Sequence, residues 1–244
     1  MVDISAKEVR ENFQLTKGNE PLHHQLFFWI SPYITSLLVK TKITPNQVSM
    51  FWILLGTLGF ILIGFGEYKL AVLGVVLYHI AQLFDYVDGE MARTLGKKTI
   101  GGVYLDEIAQ VLHRSLLLVM AGLGVYNAGY GIFYLHIGWI SSFLFMFKST
   151  FEDRVRLALF NNKMYKMAIW KKESYAQKQK RKKRDSILFL LRPAEPFNLF
   201  FIFLVLNMWL WLGYLLVLQL VIVVLMLSKS IVSTYKKTGN FPPR

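Results

Sequence analysis

Long apolar runs constrain this chain more than any other feature of its sequence. Of its 244 residues, 54% are hydrophobic, and several runs reach the roughly 20 residues that a helix needs to cross a bilayer. A segment in the hydrocarbon layer must satisfy its backbone hydrogen bonds internally, which favours helices. The sequence therefore predicts an all-α polytopic membrane protein and excludes a soluble domain with one buried core.

Six transmembrane helices are predicted, joined in antiparallel pairs by short connections. The predicted spans are 47–66, 69–93, 100–126, 130–147, 197–212 and 213–235. The shorter apolar segment from His23 to Val39 contains Pro32, which favours an N-terminal amphipathic helix lying in the membrane interface. We expect an N-terminal segment at 1–46, a six-helix transmembrane domain at 47–236 that includes a basic connection at 148–192, and a tail at 237–244.

The distribution of positive charge predicts the orientation of the spans. The formal net charge is +13, and nearly all cations lie in the N-terminal segment, the second and fourth connections and the tail. Lys69 alone falls on the other side. By the positive-inside rule both termini are cytoplasmic and the protein belongs to the cell membrane. The basic run at 165–187 is interpreted as positive-inside charge near anionic lipid headgroups, with binding of an anionic lipid or substrate as the alternative. No nucleic-acid partner is expected because no soluble binding domain accompanies the run.

Three carboxylates lie inside segments that are otherwise apolar: Asp85, Asp88 and Asp106. An ionisable group at membrane depth costs about 2.5 to 3.5 kcal/mol on insertion scales, so such groups indicate a functional site. Asp85 and Asp88 share one face of a helix, and Asp106 comes from the next helix. Three carboxylates that meet repel one another unless a cation lies between them, which indicates a hard divalent-metal site. The chain has no cysteine, which excludes thiolate chemistry and Cys-ligated zinc.

The residues from Asp85 to Gln110 also form a spaced motif, D-x2-D-G-x2-A-R-x8-G-x3-D-x3-Q. It closely resembles the signature of the CDP-alcohol phosphotransferases, which ends in aspartate; every other fixed position matches, with all spacings intact. The segment from Thr44 to Val48, just before the first predicted span, is also similar to the family. In detail the resemblance covers residues 44–113, and six spans with cytoplasmic termini agree with it.

The resemblance implies an enzyme that transfers a substituted phosphate group from a CDP-linked alcohol to a second alcohol or lipid and releases CMP. It implies Asp85, Asp88 and Asp106 as ligands of Mg²⁺, or Mn²⁺, in a pair of ions. It also implies homodimers, membrane lipids as partners, and a donor-binding set of Asp88, Gly89, Ala92, Arg93 and Gly102. Chemistry agrees, because two metal ions can neutralise both the attacking and the leaving oxygens in attack on a pyrophosphate. Tight helix packing is the alternative role for the glycines.

Gln110 departs from the signature, because the family has its catalytic base there and an amide cannot accept a proton. Four interpretations stay open: another residue supplies the base, the acceptor is already anionic, the residue is an introduced inactivating change, or the chain binds without catalysis. His113 shares the helical face of Asp106 and Gln110 and titrates near neutrality, so it is the candidate base; a buried bundle histidine is its alternative. Glu107 is rotated about 100° from Asp106, so we expect it to point to a neighbouring helix.

Further cations are weaker candidates for contact with phosphate. Arg114 lies within the third predicted span, where it either pairs with an acid or meets an anionic substrate. Arg154, Arg156 and Arg192 lie near the cytoplasmic ends of the fourth and fifth predicted spans. For these three, ordinary positive-inside charge is the alternative.

Overall fold

The computed structural model describes residues 4–12, 22–161 and 198–238, and of 22–24, 156, 158–161 and 236–238 it describes the backbone alone. Every regular element in this part of the chain is helical. The helices are α1 (Ala6–Asn12), α2 (Leu22–Leu38), α3 (Pro45–Gly64), α4 (Tyr68–Thr94), α5 (Ile100–Val125), a π-helical turn (Tyr126–Tyr130), α6 (Ile132–Asn161), α7 (Leu199–Val205) and α8 (Trp209–Thr238).

Five of the described helices are long and apolar enough to cross a membrane: Pro45–Gly64, Tyr68–Thr94, Ile100–Tyr130, Ile132–Val155 and Trp209–Tyr235. They correspond to predicted spans one to four and six, so it is confirmed that these segments are helices of sufficient length and apolarity to span a membrane. The protein is an integral membrane protein. The basic run at 165–187 and Arg192 lie outside the described residues.

The boundary between the last two predicted spans was wrong. The predicted turn near Gly213 lies inside α8, and the chain instead turns at 206–208, between α7 and α8. Asn207 makes this turn with φ +56°, a left-handed conformation that asparagine tolerates better than most residues. Of the predicted fifth span, 197–212, the described residues therefore hold the short helix α7 and the start of α8.

The fourth predicted span also ends too early. The helix α6 continues past residue 147 to Asn161 and so takes in the start of the predicted basic connection. Lys148 forms a 3.0 Å ion pair with Glu152 one turn further on. Pairs at this spacing support helix in polar sequence, which explains why the helix outlasts the apolar run.

Small residues allow the helices to cross closely. A Cβ atom at Gly59 of α3 would lie 2.6 Å from the carbonyl oxygen of Gly74 in α4. At the crossing of α5 and α6, a Cβ atom at Gly138 would lie 2.6 Å from the carbonyl oxygen of Leu118. Such contacts are typical of membrane helices, where close packing replaces the hydrophobic driving force. The first contact holds α3 against α4, and the second holds α5 against α6. The helix α3 also packs on α5, so it lies between the two helices that carry the signature.

Within the described residues, the buried core has one large and two small clusters. The large cluster lies where α3 to α8 meet and includes Phe60, Tyr78, Leu117, Phe201 and Leu212. One small cluster, Trp52, Ala81 and Ala109, lies between α3, α4 and α5. The other joins Val39, Val48, Val87 and Met91 at the end of α4. The signature residues lie at this end of the bundle.

Candidate active site

The helix α4 carries most of the signature on one side. At 100° per residue, the positions of Asp85, Asp88, Gly89, Ala92 and Arg93 fall within an arc of about 140°. All five residues are half-buried. After α4 the chain turns at Gly96, with φ +63°. Thr99 then forms the N-cap of α5. Its side chain accepts a hydrogen bond from the Gly102 amide over 3.0 Å.

Asp88 is held by two side chains of α3. Its Oδ2 accepts a hydrogen bond from Ser49 Oγ at 2.5 Å and another from Trp52 Nε1 at 2.8 Å. Ser49 and Trp52 are buried and lie on one face of α3, about one turn apart. The start of α3 is itself fixed by a capping box between Thr44 and Gln47. These contacts orient the Asp88 carboxylate through one of its oxygens.

Asp85 and Asp106 bring the two helices of the signature together. The Asp85 and Asp106 carboxyl groups interact with each other, and Asp85 is also under the electrostatic influence of Asp88. Asp106 in turn acts electrostatically on Asp88. On the other side, Gln110 Nε2 donates a hydrogen bond to Asp106 Oδ1 over 3.0 Å. Gln110 therefore contacts the group of three carboxylates, as its position in the motif predicts.

The chemistry of these side chains fits a hard divalent cation. Three carboxylates near one another supply the oxygen ligands that Mg²⁺ and Mn²⁺ prefer, and the Asp85–Asp106 approach brings like charges together. Among the described residues, no three or more His, Cys, Asp or Glu side chains stand close enough together to hold a metal ion as arranged. Binding would therefore require the carboxylates to turn toward a shared ion.

Side chains lie close against two glycines of the motif, Gly89 and Gly102. The neighbour that a Cβ atom at Gly89 would meet is the guanidinium of Arg93, with Nη1 at 3.1 Å. A Cβ atom at Gly102 would meet Thr99 Oγ1 at 3.2 Å and Asn46 Oδ1 at 3.5 Å. Gly89 thus faces the guanidinium of Arg93, one turn further along α4. An arginine can bind phosphate oxygens in bidentate fashion.

His113 turns toward α3. Its side chain is 2% exposed, with Nε2 lying 3.1 Å from the Ile53 carbonyl oxygen and 3.5 Å from Thr57 Oγ1. The ring stands edge-on to Trp52, at 5.2 Å between centroids. A Cβ atom at Gly56 would lie 2.6 Å from its Cε1. This enclosure favours the bundle-histidine alternative over the proton-acceptor role.

Three buried polar residues beside the signature were not singled out in the sequence: Ser49, Trp52 and Glu90. The spacing of Ser49 and Trp52 marks one helix face, but neither type of residue is unusual there. Glu90 could have been found, since it is a third acid in the same apolar helix and is 1% exposed. Its partners lie on α2, Ser31 and Thr35, whose hydroxyls donate to its two oxygens at 2.7 and 2.8 Å.

The other predicted site residues differ in their exposure. Glu107 is exposed rather than turned into a helix contact, and Arg154 is exposed on α6. Arg114 is half-buried and interacts with another residue. The side chain of Arg156 and the whole of Arg192 lie outside the described residues.

A helical integral membrane protein with an acidic site shared by two spans is the class that fold and site define. The family model of CDP-alcohol phosphatidyltransferases matches residues 42–228. The chain belongs to the CDP-alcohol phosphatidyltransferase family, a family of phosphotransferases. It is also similar to an uncharacterized protein of Aquifex aeolicus (strain VF5), at 31% identity over 121 residues. That match covers 48% of this chain and 55% of the relative, so it spans about half the length of each.

Proposed function

We propose that the protein is a membrane transferase that moves a substituted phosphate group from a CDP-linked alcohol, such as CDP-diacylglycerol, to an alcohol acceptor with release of CMP. Phospholipid or glycolipid synthesis is the proposed setting. The observation that carries the proposal is the approach of Asp85 on α4 to Asp106 on α5, beside an Asp88 that α3 holds in place. A family of phosphotransferases supplies the reaction class.

In this proposal Asp85, Asp88 and Asp106 hold Mg²⁺, or Mn²⁺, as a pair of ions. Bound there, the ions would neutralise charge on the pyrophosphate and stabilise the attacking and leaving oxygens. The protein's own contribution is orientation. Ser49 and Trp52 donate to the same oxygen of Asp88 and so fix the direction of its carboxylate.

The CDP group of the donor is proposed to lie along α4 against Gly89 and Ala92, and to reach Gly102 at the start of α5. The absence of side chains at 89 and 102 lets a ligand approach the backbone closely. Arg93 lies across the space beside Gly89 and is proposed to pair with the diphosphate. Asp88 is proposed to belong both to the residues that bind the donor and to the metal ligands.

Gln110 is proposed to position Asp106 rather than to accept a proton. Its amide donates to Asp106, and a neutral amide has no basic site at useful pH. His113 is proposed to pack α5 on α3, because its Nε2 faces the Ile53 carbonyl. The acceptor is then either an alcohol that loses its proton to another group at the site or an acceptor that is already anionic, such as a phosphate.

The arrangement in the membrane is also a proposal. The positive-inside rule orients both termini and the signature toward the cytoplasm of the cell membrane. The helix α2 is proposed to be the interfacial helix, and residues 47–236 the catalytic domain. A homodimer is proposed from the family alone.

The test is a screen for CMP release by the purified protein in lipid nanodiscs. CDP-diacylglycerol and soluble CDP-alcohols serve as donors against a panel of neutral alcohols, sugar phosphates and lipid acceptors, with Mg²⁺. We expect CMP release for at least one pair, and its loss with EDTA. The absence of CMP release for every pair, with a protein that is folded, would argue against the transferase.

Gln110 supports one second candidate, a family member that binds a CDP-lipid without transferring it. The reason is that the family's base position holds a residue that cannot accept a proton. This candidate predicts saturable binding of CDP-diacylglycerol with no CMP release toward any acceptor. Binding and product release measured on the same sample separate the two functions.

A further inference from the structure

The helix α2 has its polar side turned toward the protein. Its exposed side is apolar, with Leu26, Trp29, Tyr33 and Leu37 between 53 and 69% exposed. Its buried side carries the hydroxyls of Ser31 and Thr35, which are fully buried against α4. A helix that rests on a soluble core has the opposite pattern. The hydroxyls therefore serve a contact inside the protein.

That contact is with Glu90 of α4. Ser31 Oγ donates to Glu90 Oε1 at 2.7 Å, and Thr35 Oγ1 donates to Oε2 at 2.8 Å. Both oxygens of the buried carboxylate are thus bound by donors that lie one turn apart on α2. Burying a carboxylate is costly, and apolar side chains of similar size would hold two helices together at least as well. The carboxylate therefore fits a role in fixing one arrangement of the helices better than a role in stability alone.

Glu90 lies inside the signature without being part of it. On the helical wheel it falls about 60° beyond Arg93 and away from the arc of metal and donor residues. Tyr86, one turn earlier on the same side, packs against Phe27 and Phe28 of α2 at ring-centroid distances of 5.7 and 4.9 Å. The side of α4 that is adjacent to the donor residues is therefore the side that α2 covers.

Arg93 connects this contact to the donor site. Its guanidinium interacts electrostatically with both Glu90 and Asp88, and it lies 3.1 Å from the place of a Cβ atom at Gly89. A shift of Glu90 would move the charge beside Arg93, and a shift of α2 would open the flank of α4 on which the guanidinium lies. Both changes act on the residue proposed to hold the diphosphate.

We propose that Glu90 is a positioning residue that locks α2 onto α4 and thereby holds Arg93 in the geometry that binds the CDP diphosphate. Glu90 is not a metal ligand in this proposal, and it touches neither substrate nor reacting atoms. The inference rests on the proposed function, because it assigns the device that shapes that function's donor pocket.

The experiment removes the hydrogen bonds to Glu90 by changing residues of α2, and it leaves every residue of the signature unchanged. The double variant Ser31→Ala/Thr35→Val deletes both donors at nearly constant volume. Ser36→Ala is the matched control, because this hydroxyl lies on the same helix and donates to the Tyr33 carbonyl of its own turn at 2.9 Å. Glu90→Gln keeps the shape and one acceptor oxygen, so it also serves if the double variant does not fold.

The first readout is the dissociation constant for CDP with Mg²⁺, measured by calorimetry on folded protein in nanodiscs. We expect the double variant to bind CDP about tenfold more weakly than Ser36→Ala, the low end for hydrogen bonds to a charged group. The dissociation constant of Glu90→Gln for CDP should lie between those of the double variant and Ser36→Ala. In turnover, the KM for the donor should rise while kcat changes by less than about threefold, because no reacting group is altered. A dissociation constant within about twofold of the control would overturn the proposal.

The second readout is independent of activity. The chain has no cysteine, so spin labels can be placed at Leu37→Cys on α2 and Ile100→Cys at the start of α5, both of which are exposed. We expect a single narrow distance in wild type and Ser36→Ala, and a broader distribution in the double variant. An unchanged distribution would overturn the lock. If wild type itself does not bind CDP, the proposed function fails, and the label distances alone decide whether Glu90 holds α2.

Discussion

Gln110 Nε2 donates a hydrogen bond to Asp106 Oδ1 over 3.0 Å. The two residues lie one turn apart on α5, so the helix itself maintains the contact. The contact keeps Gln110 against the carboxylates of the motif, and its amide occupies an oxygen of Asp106 that a carboxylate at 110 would repel. This contact suggests a site that is shaped for orientation of Asp106 and lacks a proton acceptor at 110.

Replacing Gln110 by aspartate should therefore restore a base. We expect Gln110→Asp to raise CMP release with neutral alcohol acceptors by about 10²-fold, the lower end for general-base catalysis. Gln110→Ala should lower it, because Asp106 loses its donor. Initial rates across the acceptor panel measure both. Gln110→Asp rates no higher than wild type for every neutral alcohol would contradict the assignment of the missing base.

Trp52 and Ser49 should control metal affinity through Asp88. Trp52→Phe and Ser49→Ala each remove one donor from Asp88 Oδ2, and loss of such supporting contacts typically costs 10- to 100-fold in metal affinity or activity. We expect the Mg²⁺ concentration for half-maximal rate to rise about tenfold in each. Trp29→Phe is the control, since that ring is 69% exposed on α2. An unchanged Mg²⁺ dependence would show that Asp88 needs no support from α3.

Gly89 should tolerate a methyl group structurally but not functionally. The neighbour that its Cβ atom would meet is the Arg93 guanidinium at 3.1 Å, a flexible group that can move. We expect Gly89→Ala to fold normally and to raise the KM for the CDP donor about tenfold, which corresponds to about 1.4 kcal/mol. Gly101→Ala, where a Cβ atom meets nothing within 4 Å, should leave KM unchanged. Equal KM values for the two variants would place the donor elsewhere.

His113 and Gly56 should act on stability rather than chemistry. The Cβ atom of Gly56→Ala would lie 2.6 Å from His113 Cε1, and overpacking of this kind costs typically 1–3 kcal/mol. We expect this variant and His113→Ala to melt at lower temperature in detergent. Activity of the folded fraction should stay within about threefold of wild type for His113→Ala. A bell-shaped pH profile that loses one limb in His113→Ala would instead identify the histidine as a base.

Local patterns predicted α3, α4 and α5 well, because a run of about 20 apolar residues is a property of one segment. The turn at Asn207 was missed, since hydropathy does not register a left-handed backbone conformation. The carboxylates of the site followed from motif spacing. The hydrogen-bond partners of the carboxylates could not be predicted in this way, because Ser49 lies 39 residues from Asp88 and Ser31 lies 59 residues from Glu90. Such contacts depend on how the helices pack, which one sequence alone does not show.

The central claim is that the carboxylates shared by α4 and α5 carry out metal-dependent transfer from a CDP-linked donor. The most direct test is Mg²⁺-dependent CMP release by Asp106→Asn, beside Glu107→Gln as the control that changes an exposed acid on the same helix. We predict that Asp106→Asn loses at least about a hundredfold in rate, the scale for losing one electrostatic contact in a transition state, while Glu107→Gln keeps wild-type activity. Wild-type CMP release by Asp106→Asn would contradict the account.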